Sequence, residues 1–281
     1  MRTYYLLTKP GIIMGNLITT IAGFALASKG SFDLWLFLSM FIGLGLVIGS
    51  ACVFNNYIDR AADAKMDRTK NRALVTGVIS TFRAILFASV LGIAGITMLV
   101  FFTNALAVTL SLIGFFIYVA LYSLWKYRTT LATLVGSIAG ALPPVIGYCA
   151  VSNQLDAGAY ILFAILVLWQ MPHFYAIAMY RADDYAAASI PILPVEKGAY
   201  ITKVQMLLYV IAFVCSTVLL VPFGYTGYLY LAVALPLGLA WLYLSIKGFR
   251  ATNDQIWAKK MFRLSLVVVM ALSIMISVDT V

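Results

Sequence analysis

Apolar stretches of about twenty residues recur along the chain, broken by short polar segments. At 1.5 Å per helical residue, each is long enough to cross a hydrocarbon core roughly 30 Å thick. The pattern predicts nine transmembrane helices, at 11–28, 35–56, 82–102, 105–125, 131–151, 157–180, 203–222, 227–247 and 261–279. Several breaks on one side are tight, such as Thr103-Asn104 and Phe223-Gly224-Tyr225-Thr226, whereas 57–81 and 181–202 on the other side are long. The long breaks follow the second and sixth helices, a weak sign of two related halves. We therefore expect an all-α membrane protein, a single polytopic domain over residues 1–281. The first apolar run is followed by no small-residue cleavage site, so it reads as a retained helix rather than a signal peptide.

Composition agrees with this pattern. Hydrophobic residues make up 63% of the chain and charged residues 10%, against roughly 25% charged in a soluble domain. The net charge of +9 does not point to nucleic acid, because the basic residues lie between apolar spans rather than on an amphipathic soluble segment. They read as topology signals. Of 19 Lys and Arg, all but Lys29 fall in the N-terminus, 57–81, 126–130, 181–202, 248–260 or the adjoining helix ends. That bias puts the N-terminus in the cytoplasm and the C-terminus outside, which requires an odd number of helices. Cys52, Cys149 and Cys215 all lie within apolar runs, form no CxxC pair and read as small packing residues.

The two long cytoplasmic segments hold six of the ten acidic residues, Asp59, Asp63, Asp67, Asp183, Asp184 and Glu196. Residues 55–72 read NNYIDRAADAKMDRTKNR, with Asn55, Asp59, Asp63 and Asp67 spaced by four. This spacing predicts one acidic stripe on a helix leaving the membrane. Stacked like charges beside a bilayer call for a cation, and hard oxygen donors suit Mg²⁺, which takes one or two carboxylates together with phosphate oxygens. Arg60, Lys65, Arg68, Lys70 and Arg72 are interleaved, and guanidinium groups match phosphate geometry. A second cluster, WQMPHFYAIAMYRADDYAAASIPILPVEKG over 169–198, carries Pro172, which interrupts an apolar helix, and His173, the only histidine. An ionisable residue inside a span is costly and marks a functional candidate. Arg181, Asp183 and Asp184 follow at the same end as the first cluster. Pro143-Pro144 is expected to break the fifth helix near mid-membrane, and Lys126 and Arg128 close the fourth after Tyr118 and Tyr122.

With TKPGIIMGN at 8–16 and LPPVIGY at 142–148, these motifs make the chain resemble the UbiA superfamily of intramembrane prenyltransferases, from residue 8 to the last helix. The MPH and IPILPV segments resemble its heme-directed branch rather than the quinone-type branches. The resemblance implies a nine-helix bundle around a cavity capped by the two cytoplasmic loops, in the inner membrane of a bacterium. It implies Asn55, Asp59, Asp63 and Asp184 as catalytic and Mg²⁺-binding residues. Arg68 and Arg72 match RTxxR and would hold diphosphate oxygens, with Lys126 and Arg181 as auxiliaries, and His173 would ligate or position a heme. Many members carry DxxxD as the second motif; here Ala187 and Ala188 stand four residues after Asp183 and Asp184. The implied substrates are farnesyl diphosphate and heme B, joined with addition of water to give heme O. The implied recipients are a heme-requiring terminal oxidase or heme A synthase. Two other functions are weighed against this one: a sister enzyme with an aromatic acceptor such as 4-hydroxybenzoate, and a transporter whose broken helices carry an acidic gate.

Overall fold

The computed structural model describes residues 2–281, and the described residues contain nine helices long and apolar enough to cross a membrane. We label them α1 (Pro10–Ser28), α2 (Leu34–Asp63), α3 (Thr81–Phe102), α4 (Ala105–Trp125), α5 (Ala132–Ser152), α6 (Ala157–Tyr180), α7 (Gly198–Val218), α8 (Tyr228–Lys247) and α9 (Asp254–Val278). Short helices Ala182–Ala187 and Leu193–Glu196 lie between α6 and α7. Polar side chains mark several helix starts: Asp33, Ser80, Asn104, Asp156 and Asn253 each accept a backbone N–H from three residues on. Each cap satisfies a donor that a helix start leaves open.

The helices form a bundle rather than layers. α5 and α6 are the most buried, and α3 and α4 the least. On α3, Phe82, Leu86, Val90 and Ile93 are exposed on one face, as expected of side chains turned to lipid. α1 packs on α5 with almost no side chain between them. A Cβ added at Gly23 would lie 1.9 Å from the Pro144 carbonyl oxygen, and one at Gly147 would lie 2.3 Å from that of Thr20. Small residues at these crossings let two backbones approach, and dispersion between them replaces the hydrophobic drive that lipid cannot supply.

Four details differ from the pattern of hydropathy. α5 runs unbroken through Pro143 and Pro144, and α6 through Pro172. Proline removes a hydrogen bond, but close neighbours keep the helix on course. α7 starts at Gly198 instead of 203, and α9 at Asp254 instead of 261. Polar and charged residues near these starts, Glu196, Lys197 and Lys203 around the first and Asp254, Lys259 and Lys260 in the second, hide them from a hydropathy window. The acidic stripe ends at Asp63, where α2 stops; Thr69 Oγ1 donates to the Asp63 carbonyl at 2.9 Å and the chain turns away. Asp67 is therefore off the stripe, 88% exposed, and paired with Lys70 at 2.7 Å. Finally, α4 contains a π-helical turn at Ile117–Tyr122. Cys52 and Cys149 are buried, Cys215 is exposed, and all three are free thiols.

The α1–α5 crossing should be sensitive to a single methyl group. Gly23→Ala and Gly147→Ala are each expected to destabilise the protein by about 1–3 kcal/mol through overpacking. Gly45→Ala, whose Cβ would sit 3.5 Å from Leu17, should be neutral or slightly stabilising. Thermal unfolding in detergent would compare the three.

Candidate functional site

α2 has 30 residues, about 45 Å of helix, against a hydrocarbon core of roughly 30 Å. Its last turns therefore project beyond the apolar region and carry Asn55, Asp59 and Asp63 on one face. All three are nearly sealed from bulk water, at 3%, 9% and 2% exposure. A buried carboxylate is tolerated only when paired and hydrogen-bonded. Asp63 accepts from Arg72 Nη1 at 2.5 Å, and the same guanidinium reaches Asn56 Oδ1 at 3.3 Å. Asp59 is paired with the Lys126 ammonium and accepts the Tyr127 hydroxyl at 2.8 Å. Asn55 Oδ1 accepts from Lys9 Nζ at 2.6 Å, while its Nδ2 donates to Ser123 Oγ at 3.1 Å.

Local backbone irregularities place these partners. Lys9 adopts a left-handed conformation, φ 53°, between the short helix Arg2–Leu7 and Pro10 at the start of α1. That turn aims its side chain at Asn55. The π turn of α4 rotates the end of the helix, so that Ser123 faces Asn55 and Lys126 and Tyr127 face Asp59. Such turns recur at functional sites. Tyr118 and Tyr122 stack at 5.5 Å, and the Lys126 ammonium lies 5.3 Å from the Tyr122 ring centroid. Burial pulls the Lys9 ammonium down to about 8, and the neighbouring Arg72 charge adds to this. Burial also lowers Lys126; its attraction to Asp59 only partly offsets that. Burial pushes the Tyr127 hydroxyl up, and Asp59 adds to the shift.

This polar cluster forms the mouth of a cavity of about 1030 Å³. Five cations, Lys9, Arg68, Arg72, Lys126 and Arg181, line it together with only two carboxylates, Asp59 and Asp63. Arg68 is exposed and has no ion-pair partner among the described residues. The positive surplus invites a polyanion, while the two carboxylates offer hard oxygen ligands to a divalent cation. Deeper, the walls turn apolar, with Leu44, Phe115, Leu142, Ile146 and Leu166. His173 lies there, 8% exposed, with its ring stacked on Trp169 at 4.6 Å and Nδ1 2.7 Å from Ser265 Oγ. The volume exceeds the usual range for a single small ligand, roughly 300–1,000 Å³.

The structure thus brings Asn55, Asp59, Asp63, Arg68, Arg72, Lys126, His173 and Arg181 to one cavity wall. Asp184 stands beside it, 3.7 Å from Arg181, without lining the cavity. Among the described residues, no three His, Cys, Asp or Glu side chains are assembled as a metal site. Lys9, Ser123, Tyr127 and Asn56 were not legible as partners. The only sequence signal for Lys9 is its place in TKPG before a proline that starts a helix.

The model of the UbiA prenyltransferase family matches residues 16–267. The chain is 55% identical over 278 residues to a protoheme IX farnesyltransferase from Protochlamydia amoebophila, covering 99% of this chain and 98% of that one. Among solved structures it is similar to a digeranylgeranylglyceryl phosphate synthase, with TM-score 0.82, 18% identity and coverage of 99% and 97%. It is also similar to a UbiA homolog from Archaeoglobus fulgidus bound to GPP and Mg²⁺, with TM-score 0.68, 15% identity and coverage of 98% and 99%.

Removing the Lys126 charge should leave Asp59 buried without a cation. Lys126→Met is expected to cost about 3–5 kcal/mol, and adding Asp59→Asn should recover most of it. Thermal unfolding of the single and double variants would check this.

Proposed function

This chain belongs to the UbiA prenyltransferase family, and we propose that it transfers a farnesyl group from farnesyl diphosphate to the 2-vinyl group of heme B. Water is added in the same reaction, giving heme O and diphosphate. The observation that carries the proposal is one continuous cavity with a cation-rich mouth and an apolar interior holding a histidine. The mouth fits a diphosphate, and the interior fits a prenyl chain together with a flat apolar macrocycle. The high identity to a protein named protoheme IX farnesyltransferase supports the choice of acceptor.

The donor set fits a magnesium ion bound along with substrate rather than in a preformed cage. Asn55, Asp59 and Asp63 present oxygens on one helical face, and Mg²⁺ commonly takes one or two carboxylates plus phosphate oxygens. When bound, it supplies charge neutralisation at the leaving group. Asp184 would join through the diphosphate side, with Arg181 between it and the mouth. Arg68 and Arg72 hold phosphate oxygens in a fork geometry, and Lys126 and Lys9 add compact positive charge. Arg72 and Lys126 are already held in place by Asp63 and Asp59, so little reorganisation is needed when charge develops.

The allylic C–O bond breaks, and its electron pair leaves with the diphosphate. The vinyl group's terminal carbon bonds to farnesyl C1. This leaves a cation on the carbon beside the porphyrin, which water captures with loss of a proton. Tyr118 and Tyr122 offer π faces to the farnesyl cation near the mouth, each such contact being worth about 0.5–2 kcal/mol. The apolar wall limits water around the cation until transfer is complete. Both substrates partition into lipid, so residues 1–281 would act as one catalytic unit in a bacterial inner membrane, with the mouth facing the cytoplasm. The product would pass to a heme-requiring terminal oxidase or to heme A synthase.

Incubation of purified protein in detergent with heme B, farnesyl diphosphate and Mg²⁺ should yield farnesylated, hydrated heme by mass spectrometry. A chelator should abolish it and added Mg²⁺ restore it. Asp59→Ala with Asp63→Ala should give none, and a wild type that makes no such heme would refute the assignment. Arg68→Ala should raise the KM for farnesyl diphosphate about tenfold, the loss of one charge-assisted contact, without lowering thermal stability, because Arg68 is exposed and unpaired.

A further inference from the structure

Four buried side-chain atoms among the described residues lack a hydrogen-bond partner, and only Gln170 Nε2 belongs to the cavity wall. Gln170 is 4% exposed. Its Oε1 rests on the Gly140 backbone, where an added Cβ would lie 2.2 Å away. Nε2 is closed off from the cavity, whereas Oε1 makes no hydrogen bond and is not among the sealed atoms, so the amide oxygen opens on the cavity and asks for a donor. Opposite it, Pro143 and Pro144 have no N–H, which deprives the carbonyls of Ala139 and Gly140 of their helical donors. Both of these residues also line the cavity. These groups make a small polar niche in the cavity wall.

His173 follows Gln170 by three residues on α6, on the same face. Ser265 Oγ donates to the Phe262 carbonyl at 2.6 Å, which spends its proton, so it accepts at 2.7 Å from Nδ1–H of His173. The histidine thus carries its proton on Nδ1 and a free lone pair on Nε2. Trp169 and Phe262 flank the ring at 4.6 and 4.9 Å, and Trp169 Nε1 donates to the Ser265 carbonyl at 2.9 Å, which holds the whole group in place. Nε2 makes no hydrogen bond, yet it is not among the sealed unpartnered atoms, so it opens on the cavity that His173 lines.

We propose that Gln170 and His173 hold and activate the water that completes the transfer, with Ser265 as the residue that positions His173. The proposal rests on the activity given above. Gln170 Oε1 accepts one hydrogen of the water and His173 Nε2 the other, which leaves the water's lone pairs toward the cation. As the oxygen bonds to the cationic carbon beside the porphyrin, its O–H bond breaks, the electron pair stays on oxygen, and the proton moves to Nε2. The resulting imidazolium keeps its Nδ1–H on Ser265 and later returns the extra proton to solvent. With the water fixed at this depth, hydration reaches the second cation rather than the farnesyl cation formed nearer the mouth.

Without that water, the cation loses a proton from the adjacent carbon and gives an alkene lighter by one water. The readout is the ratio of hydrated to anhydrous farnesylated heme, which does not depend on how much enzyme folds. Gln170→Met and His173→Phe should lower it about tenfold or more, within the range of a lost general base, while farnesyl transfer continues. Ser265→Ala should shift it in the same direction and Ser265→Thr restore it, and this pair decides if Gln170→Met does not fold. An unchanged ratio in these variants would overturn the proposal, as would folded variants that make neither product. An imidazole–iron signature in bound heme that vanishes in His173→Phe would also overturn it, by placing Nε2 on the iron. If the wild type makes no farnesylated heme of either kind, it is the activity assignment that fails, not the water site alone.

Discussion

Two carboxylates, Asp59 and Asp63, stand almost sealed from bulk water at the end of an apolar bundle, and much of the surrounding structure follows from the cost of keeping them ionised there. Each must have a cation and further donors. The chain supplies Arg72 from the segment after α2 and Lys126 with Tyr127 from the end of α4. The same cations face the cavity mouth, where they outnumber the acids. In the proposed reaction a metal-bound diphosphate would enter by exchange of partners: the acids would turn to the metal and the cations to phosphate oxygens. The resting ion pairs keep both sets of groups in position between turnovers.

The cavity behind the mouth exists because helix packing is uneven. Between α1 and α5 the backbones touch at Gly23 and Gly147, which fixes the bundle on that side. α2 and α3 also cross closely, at Gly43 and Gly95, while around the cavity a π turn in α4 and prolines in α5 and α6 relax the regular hydrogen-bond ladder. In lipid such irregularities survive only where they face protein or a polar ligand. They coincide here with Ser123 and Lys126, with the free carbonyls of Ala139 and Gly140, and with His173. The wall is thus graded from charged to apolar, which in the proposed reaction would put charge separation at one end and carbon–carbon bond formation at the other.

The number of helices and the acidic stripe were open to sequence alone because both are one-dimensional properties. Bilayer thickness sets the length of an apolar run, and the helical period places Asn55, Asp59 and Asp63 on one face whatever lies around them. The stripe was overextended to Asp67 because its spacing is the same; only Thr69 capturing the Asp63 carbonyl ends the helix first. The starts of α7 and α9 lie outside the hydropathy pattern because nearby charges, Glu196, Lys197 and Lys203 at α7 and Asp254, Lys259 and Lys260 at α9, lower hydropathy without weakening the helix.

The tertiary structure alone decided the partnerships. Lys9 meets Asn55 across 46 residues, Tyr127 meets Asp59 across 68, and Ser265 meets His173 across 92. No spacing rule reaches so far, since these contacts arise from which helices pack together and how each is rotated about its axis. The sequence could name His173 as costly in a membrane, but which of its nitrogens is free depends on a serine three helices away. Local periodicity and solvent preference act along the chain; ion pairing, tautomer and cavity shape are set only when distant segments exclude water from between them.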